Sequence, residues 1–188
     1  MNRRQIRVAV IALVVVTAAA CGTGAPSAVP SPTALPAATS FEEYAASFCS
    51  AWDAIFLAVG NPDTAEGSVM SKALDDAVAA RNGPEAERLA AEITAELESG
   101  RRHAAIAGGW PPAAPAMTEL DRVFAGFMAM TAAKAAAAKS APGAVDPQTA
   151  FEQAGGVDGY FAMFEAMRAM ASSRPAGAQE CPNLPIGP

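Results

Sequence analysis

Three thiols are the most reactive groups in this chain, and each stands in a different setting. Cys21 follows three alanines at the end of an apolar run, Cys49 lies among aromatic residues at helical spacing, and Cys181 stands in a proline-punctuated tail. A thiol can be acylated, pair in a disulfide, attack a substrate or hold a metal, and its surroundings decide which. Neither Cys-x-x-Cys nor a Cys/His zinc spacing occurs, so the pattern supports no redox-catalytic or metal site. His103 is the single histidine, and any mechanism that needs an imidazole must use it. Gly-x-Ser-x-Gly and His-Glu-x-x-His are both absent. Gly155-Gly156-Val157-Asp158-Gly159 is glycine-rich but follows a helical pattern rather than a strand. It reads as a helix kink or close contact, not as a phosphate loop. Asp75-Asp76 reads as a solvated face, whereas Asp53, Asp121 and Glu165 flank apolar stripes and are candidates for partial burial. With no acid, base, nucleophile and metal set in place, the chain is read as having no catalytic residues and no cofactor, and as not an enzyme.

The elements that position these groups begin with an address. Arg3, Arg4 and Arg7 precede the run Val8–Ala20, which is apolar but for Thr17 and ends in Ala18-Ala19-Ala20. A basic start, a short apolar core and a small-residue exit mark an export signal. The run has 13 residues, whereas a spanning helix takes about 20. A cysteine directly after Ala18-Ala19-Ala20 resembles the lipobox of bacterial lipoproteins. That resemblance implies a diacylglyceryl group on the Cys21 thiol, cleavage just before it, and an acylated protein at the cell membrane facing the extracytoplasmic side. Lipidation takes Cys21 out of an odd count of three and leaves Cys49 and Cys181, which an oxidising compartment is expected to join.

Residues 22–39 hold four prolines among small residues and read as a solvated tether, reaching at most roughly 55 Å. Beyond it, residues 40–182 form the expected helical domain, with 183–188 as an irregular end. Removing residues 1–20 takes three of 13 basic residues and none of 19 acidic ones, leaving ten against 19, a formal charge of −9. So acidic a chain, with no basic cluster beyond Arg101-Arg102, excludes nucleic acid as an expected partner.

Ser40 and Glu43 form a capping box before a stripe of Phe41, Tyr44, Phe48, Trp52, Ile55, Phe56 and Val59, which predicts the central core helix. A second helix is predicted over Thr64–Arg81 with Val69, Leu74 and Ala77 inward, and a third from Pro84 to Gly108 with Leu89, Ile93, Leu97 and Ala104 inward. A fourth is predicted over 116–139, and a fifth starts at Asp146-Pro147 and breaks or bends near Gly155-Gly156 and Gly159. Tyr160, Phe161, Phe164, Met167 and Met170 follow that bend. No segment alternates long enough for a strand, so an all-α antiparallel bundle of four to five helices is expected.

Two features admit readings sharper than packing. Trp110 lies between Gly108-Gly109 and Pro111-Pro112, a rigid loop whose ring either plugs the bundle end or projects as a partner contact. Met128, Met163 and Met167 stand at helical spacing beside aromatic residues, where core filling is the default and lining for an apolar ligand the alternative. The expected function is a non-enzymatic interaction or assembly module of the cell envelope, held to the membrane through Cys21 and meeting an envelope protein partner. Carriage of an apolar small molecule or lipid between helices is the second expectation.

Overall fold

A computed structural model describes residues 36–61, 66–139, 144–178 and 181. Cys21, the signal, residues 22–35 of the tether and residues 182–188 lie outside them. All described residues belong to the compact unit Leu35–Pro188.

Ser40 caps helix α1, Phe41–Ala58, its hydroxyl accepting from the Glu43 N–H at 3.2 Å. The Glu43 carboxylate reaches back one residue further than the capping box predicts. Its Oε2 accepts from the Thr39 N–H at 2.7 Å and from the Thr39 hydroxyl at 3.0 Å. Residues 36–39, expected in the tether, are therefore seated: Ala38 is buried and its N–H donates to the Ile106 carbonyl at 2.9 Å.

After α1 the chain makes a minimal hairpin, in which β1, Gly60–Asn61, pairs antiparallel with β2, Glu66–Gly67. Ser68 then caps α2, Val69–Ala79, accepting from the Ser71 N–H and donating to the Ala58 carbonyl at 2.9 Å. The predicted start at Thr64 is thus corrected to Val69. Its side chain, predicted inward, is 87% exposed because it falls in the outer part of the first turn. Asn82 caps α3, Gly83–Ala107, with Pro84 in the first turn where a missing N–H costs nothing. A 3₁₀ turn, Pro111–Ala113, leads into α4, Ala114–Ala138.

The expected fifth helix is two. Asp146 caps α5, Pro147–Gln153, and the chain breaks at Gly155, whose φ of 80° lies in the left-handed region that glycine enters without strain. Helix α6, Gly156–Ala169, then runs through Gly159 unbroken and ends in a 3₁₀ turn, Met170–Ser173. The described residues are all-α apart from the hairpin, with six α-helices rather than four or five.

Helix α1 packs chiefly on α3, α3 on α4, and α4 on α6, with α2 laid across α3 and α4. Tyr44, Phe48, Trp52 and Ile55 meet Ile93 and Leu97 of α3, Leu120, Val123 and Phe124 of α4, and Met163 and Met167 of α6 in one core. Each such large side chain contributes about 1.5–3 kcal/mol on burial. Small residues permit the close crossings between helices. A Cβ on Gly100 would stand 2.6 Å from the Phe124 ring, and one on Gly126 would stand 2.7 Å from the Gly156 Cα.

Candidate functional site

Cys49 and Cys181 are joined by a disulfide with Cα atoms 5.3 Å apart. Cys181 is buried, so the bond draws the tail after α6 onto the flank of α1. No group of three or more His, Cys, Asp or Glu side chains among the described residues is arranged to hold a metal.

Among the described residues the acids do not converge. Asp53 and Glu165 are exposed, and Asp121 is half-buried in a two-bonded pair with Arg101, at 2.6 Å and 2.8 Å, tying α4 to α3. That pairing holds the Arg101 guanidinium above its ordinary pKa. Asp75 meets Lys134 at 2.6 Å, linking α2 to α4, and Lys139 meets Glu87, linking the end of α4 to the start of α3. Arg88 bridges Glu85 and Glu92 along one face of α3. These pairs are partly or fully exposed, where water screens an ion pair and its contribution is small. His103 is partly exposed on α3 and takes part in no ion pair among the described residues.

Trp110 is seated in the core, 9% exposed, with its ring stacked on Tyr44 at 5.1 Å and edge-on to Phe41 at 5.6 Å. It closes one end of α1, and its role as a projecting partner contact is corrected. The reason is local: Pro111 and Pro112 fix the turn so that the indole covers the first turn of α1. Met163 and Met167 are buried core residues, and Met128 is packed at the core edge. An open groove of about 670 Å³ does run between α3 and α4, but Ala90, Ala91, Ala95, Ala132, Ala135 and Ala136 form most of its wall. None of the three methionines lines it.

The surface feature that remains is a row of rings between α1 and α6. Phe56 meets Trp52 at 6.0 Å, Trp52 meets Phe164 at 6.4 Å, Phe164 meets Tyr160 at 4.9 Å, and Tyr160 meets Phe161 at 6.0 Å. Trp52 lies at the fully buried middle, while Phe56, Tyr160 and Phe164 are half-buried. At one end the row comes out to solvent at Phe161, which is 66% exposed; Leu57, the next residue after Phe56, is a separate exposed side chain at 60%. Three exposed acids flank these two side chains. Asp53 precedes Leu57 by four residues, and Asp158 and Glu165 lie three before and four after Phe161. Residues at those spacings are neighbours on a helix surface.

From the sequence Phe161 stood among the residues after the bend with no face assigned, and Leu57 had no assigned role. A signal was available for both. Adjacent residues on a helix point about 100° apart, so the residue that follows one at the outer edge of a buried stripe, as Phe161 follows Tyr160 and Leu57 follows Phe56, turns away from the core. Among the described residues no helix is long and apolar enough to cross a membrane. No protein-family model matches the chain, and no curated protein or solved structure is found to resemble it.

Proposed function

We propose that the chain is a cell-envelope lipoprotein, acylated on Cys21 and facing the extracytoplasmic side, whose helical domain is a non-enzymatic interaction module. In this reading the helices form an antiparallel bundle in which α5 and α6 count as one broken arm. The residues after the signal tether the bundle to the membrane. The contact face is the α1–α6 seam, and its partner is another protein of the envelope rather than a nucleic acid, which the acidic charge disfavours.

One observation carries the reading: a continuous aromatic row runs from buried Trp52 out to Phe161, which is 66% exposed, and a second exposed apolar side chain, Leu57, follows Phe56 in sequence on α1. Lone exposed apolar residues are ordinary, but a connected set rimmed by charges is what a contact surface requires. The scattered acids among the described residues and the filled methionine core favour contact over catalysis or carriage. The test is sedimentation of the detergent-solubilised chain from cells that make it. Wild type should migrate in a complex larger than the chain alone. A Leu57→Ser/Phe161→Ser variant should migrate as the free chain at an unchanged unfolding temperature. Identical migration of the two would refute the face, and recovery of a Cys21→Ser chain in the membrane fraction would refute the anchor.

A further inference from the structure

We infer that Pro175–Ala178 form a strap over one flank of α1 which the Cys49–Cys181 bond holds shut, so that a dithiol opens it and bares that flank while the helices stay folded. No partner is needed for this, and it stands apart from the contact reading. The strap starts from a firm point. Met170 is buried, the 3₁₀ turn Met170–Ser173 meets the turn Pro111–Ala113, and the Arg174 guanidinium donates from one Nη to the Met167 carbonyl at 3.2 Å. Beyond Arg174 little holds the chain. Pro175, Ala176 and Gly177 are exposed, and Ala178 is only partly buried. None of these four side chains carries a hydrogen-bonding group. Among the described residues no backbone hydrogen bond joins them to α1, and the Ala178 N–H instead closes a local turn onto the Pro175 carbonyl at 3.1 Å. Gly177, at a φ of 76°, has open space where a side chain would stand.

The strap does not lie flush on the helix. Phe41, Glu42 and Ala45 of α1 face Pro175–Ala178 across an open cleft of about 400 Å³. Ala45 stands one helical turn before Cys49 on the same flank, so the cleft leads towards the bond. Cys49 is only partly buried, while Cys181 is 7% exposed. Seating a chain end costs backbone entropy at every residue, and a partly buried alanine offsets little of it. Such ends stay in place where something ties them down. Here the tie is the Sγ–Sγ bond. The helices need no such tie, because α1 packs chiefly on α3 and its Tyr44, Phe48, Trp52 and Ile55 are fully buried in the shared core. In the opening step a thiolate of the dithiol attacks one bridge sulfur, the Sγ–Sγ bond breaks, and the reagent's second thiol resolves the mixed disulfide. Two electrons and two protons pass to Cys49 and Cys181, and the dithiol leaves as a disulfide. The strap then pivots at Arg174 and leaves Phe41, Ala45 and the Cys49 thiol open along α1.

The test treats the purified full chain with dithiothreitol under native conditions. Adding about 1 M urea should change the rate of reduction less than twofold, whereas reduction through global unfolding would speed up roughly fivefold or more. Far-ultraviolet circular dichroism should be the same before and after. In a Cys49→Ser chain, a pulse of N-ethylmaleimide followed by peptide mass mapping should label Cys181 within about tenfold of the rate in the urea-unfolded chain. A Cys181 that stayed seated and opened only with the whole fold would react roughly a thousandfold slower or more. The apolar dye anilinonaphthalenesulfonate should bind the reduced chain and the Cys49→Ser chain severalfold better than the oxidised wild type. Reduction accelerated by urea, a protected Cys181, or no gain in dye binding each overturns the inference. So does loss of the helical signal on reduction or in the Cys49→Ser chain, which would make the bond a brace of the bundle rather than a clasp on its tail.

Discussion

Trp52 is fully buried and touches Phe48, Phe56 and Phe164, yet its indole N–H meets no acceptor among the described residues. Its value is therefore area and shape, not a hydrogen bond. Trp52→Ala should cost about 3–5 kcal/mol of stability, while Trp52→Phe, which loses no hydrogen bond, should cost clearly less. Urea unfolding of both checks this, and equal costs would point to a polar role for the indole. Glu43 works the other way, through hydrogen bonds alone. The Thr39 N–H, then the Thr39 hydroxyl, holds its carboxylate below the ordinary glutamate pKa. The folded state thus favours the charged form. That contribution is complete above the ordinary glutamate range and is lost as pH falls from there through the depressed folded value. Carbon-detected NMR should place the Glu43 midpoint below the ordinary range. Thr39→Ala, which removes the hydroxyl, should move it partway back. At this scale the buried aromatic residues of α1 were legible from spacing. The partner of Glu43 was not, because a carboxylate can choose between adjacent amides and only the path of residues 36–39 decides.

Helix α4 is the element that the others use. It packs on α3 through Phe124 against Gly100, and on α6 through Gly126 against Gly156. At Gly126 the nearest atom to an added Cβ is backbone, 2.7 Å away, so the two helices would have to separate. Gly126→Ala should cost about 1–3 kcal/mol by overpacking. Gly155→Ala meets open space, and its cost, about 1–2 kcal/mol, comes only from the left-handed backbone. Thermal unfolding of the pair separates the two causes, since trimming Phe151, whose ring also stands 2.8 Å from the added Cβ, should relieve part of the first cost and none of the second. Periodicity made α1, α3 and α4 legible to within two residues at each end. The break between α5 and α6 was visible as Gly155-Gly156, but the pattern did not show that Gly159 would stay helical. It does because the residue packs against Arg122 and the Glu119 backbone. The early start expected for α2 fails because Glu66–Gly67 pairs as a strand with Gly60–Asn61, and Ser68 caps the helix after it; Thr64 itself lies outside the described residues.

For the whole molecule, the disulfide closes the largest loop. It joins positions 132 residues apart and holds the tail on α1. Replacing both cysteines with serine should destabilise by up to ~5 kcal/mol on the chain-entropy account, and commonly by less. Unfolding of the oxidised and doubly substituted chains compares them directly, and no change would mean that the tail contributes nothing to the fold. Cysteine arithmetic made this bond legible once Cys21 was assigned to lipid. The proposed contact face was only partly so: the 100° step between neighbours hints at exposure of Leu57 and Phe161, but which side of each helix is covered depends on how α1 and α6 pack on α3 and α4. The central claim is that this seam touches a partner in the envelope. A photo-cross-linking residue placed at 161 in the exported chain, with a control at the exposed position 92 on α3, tests it most directly. The account predicts a discrete cross-linked species from position 161 and none from 92. Cross-linking from both positions alike, or from neither, would contradict it.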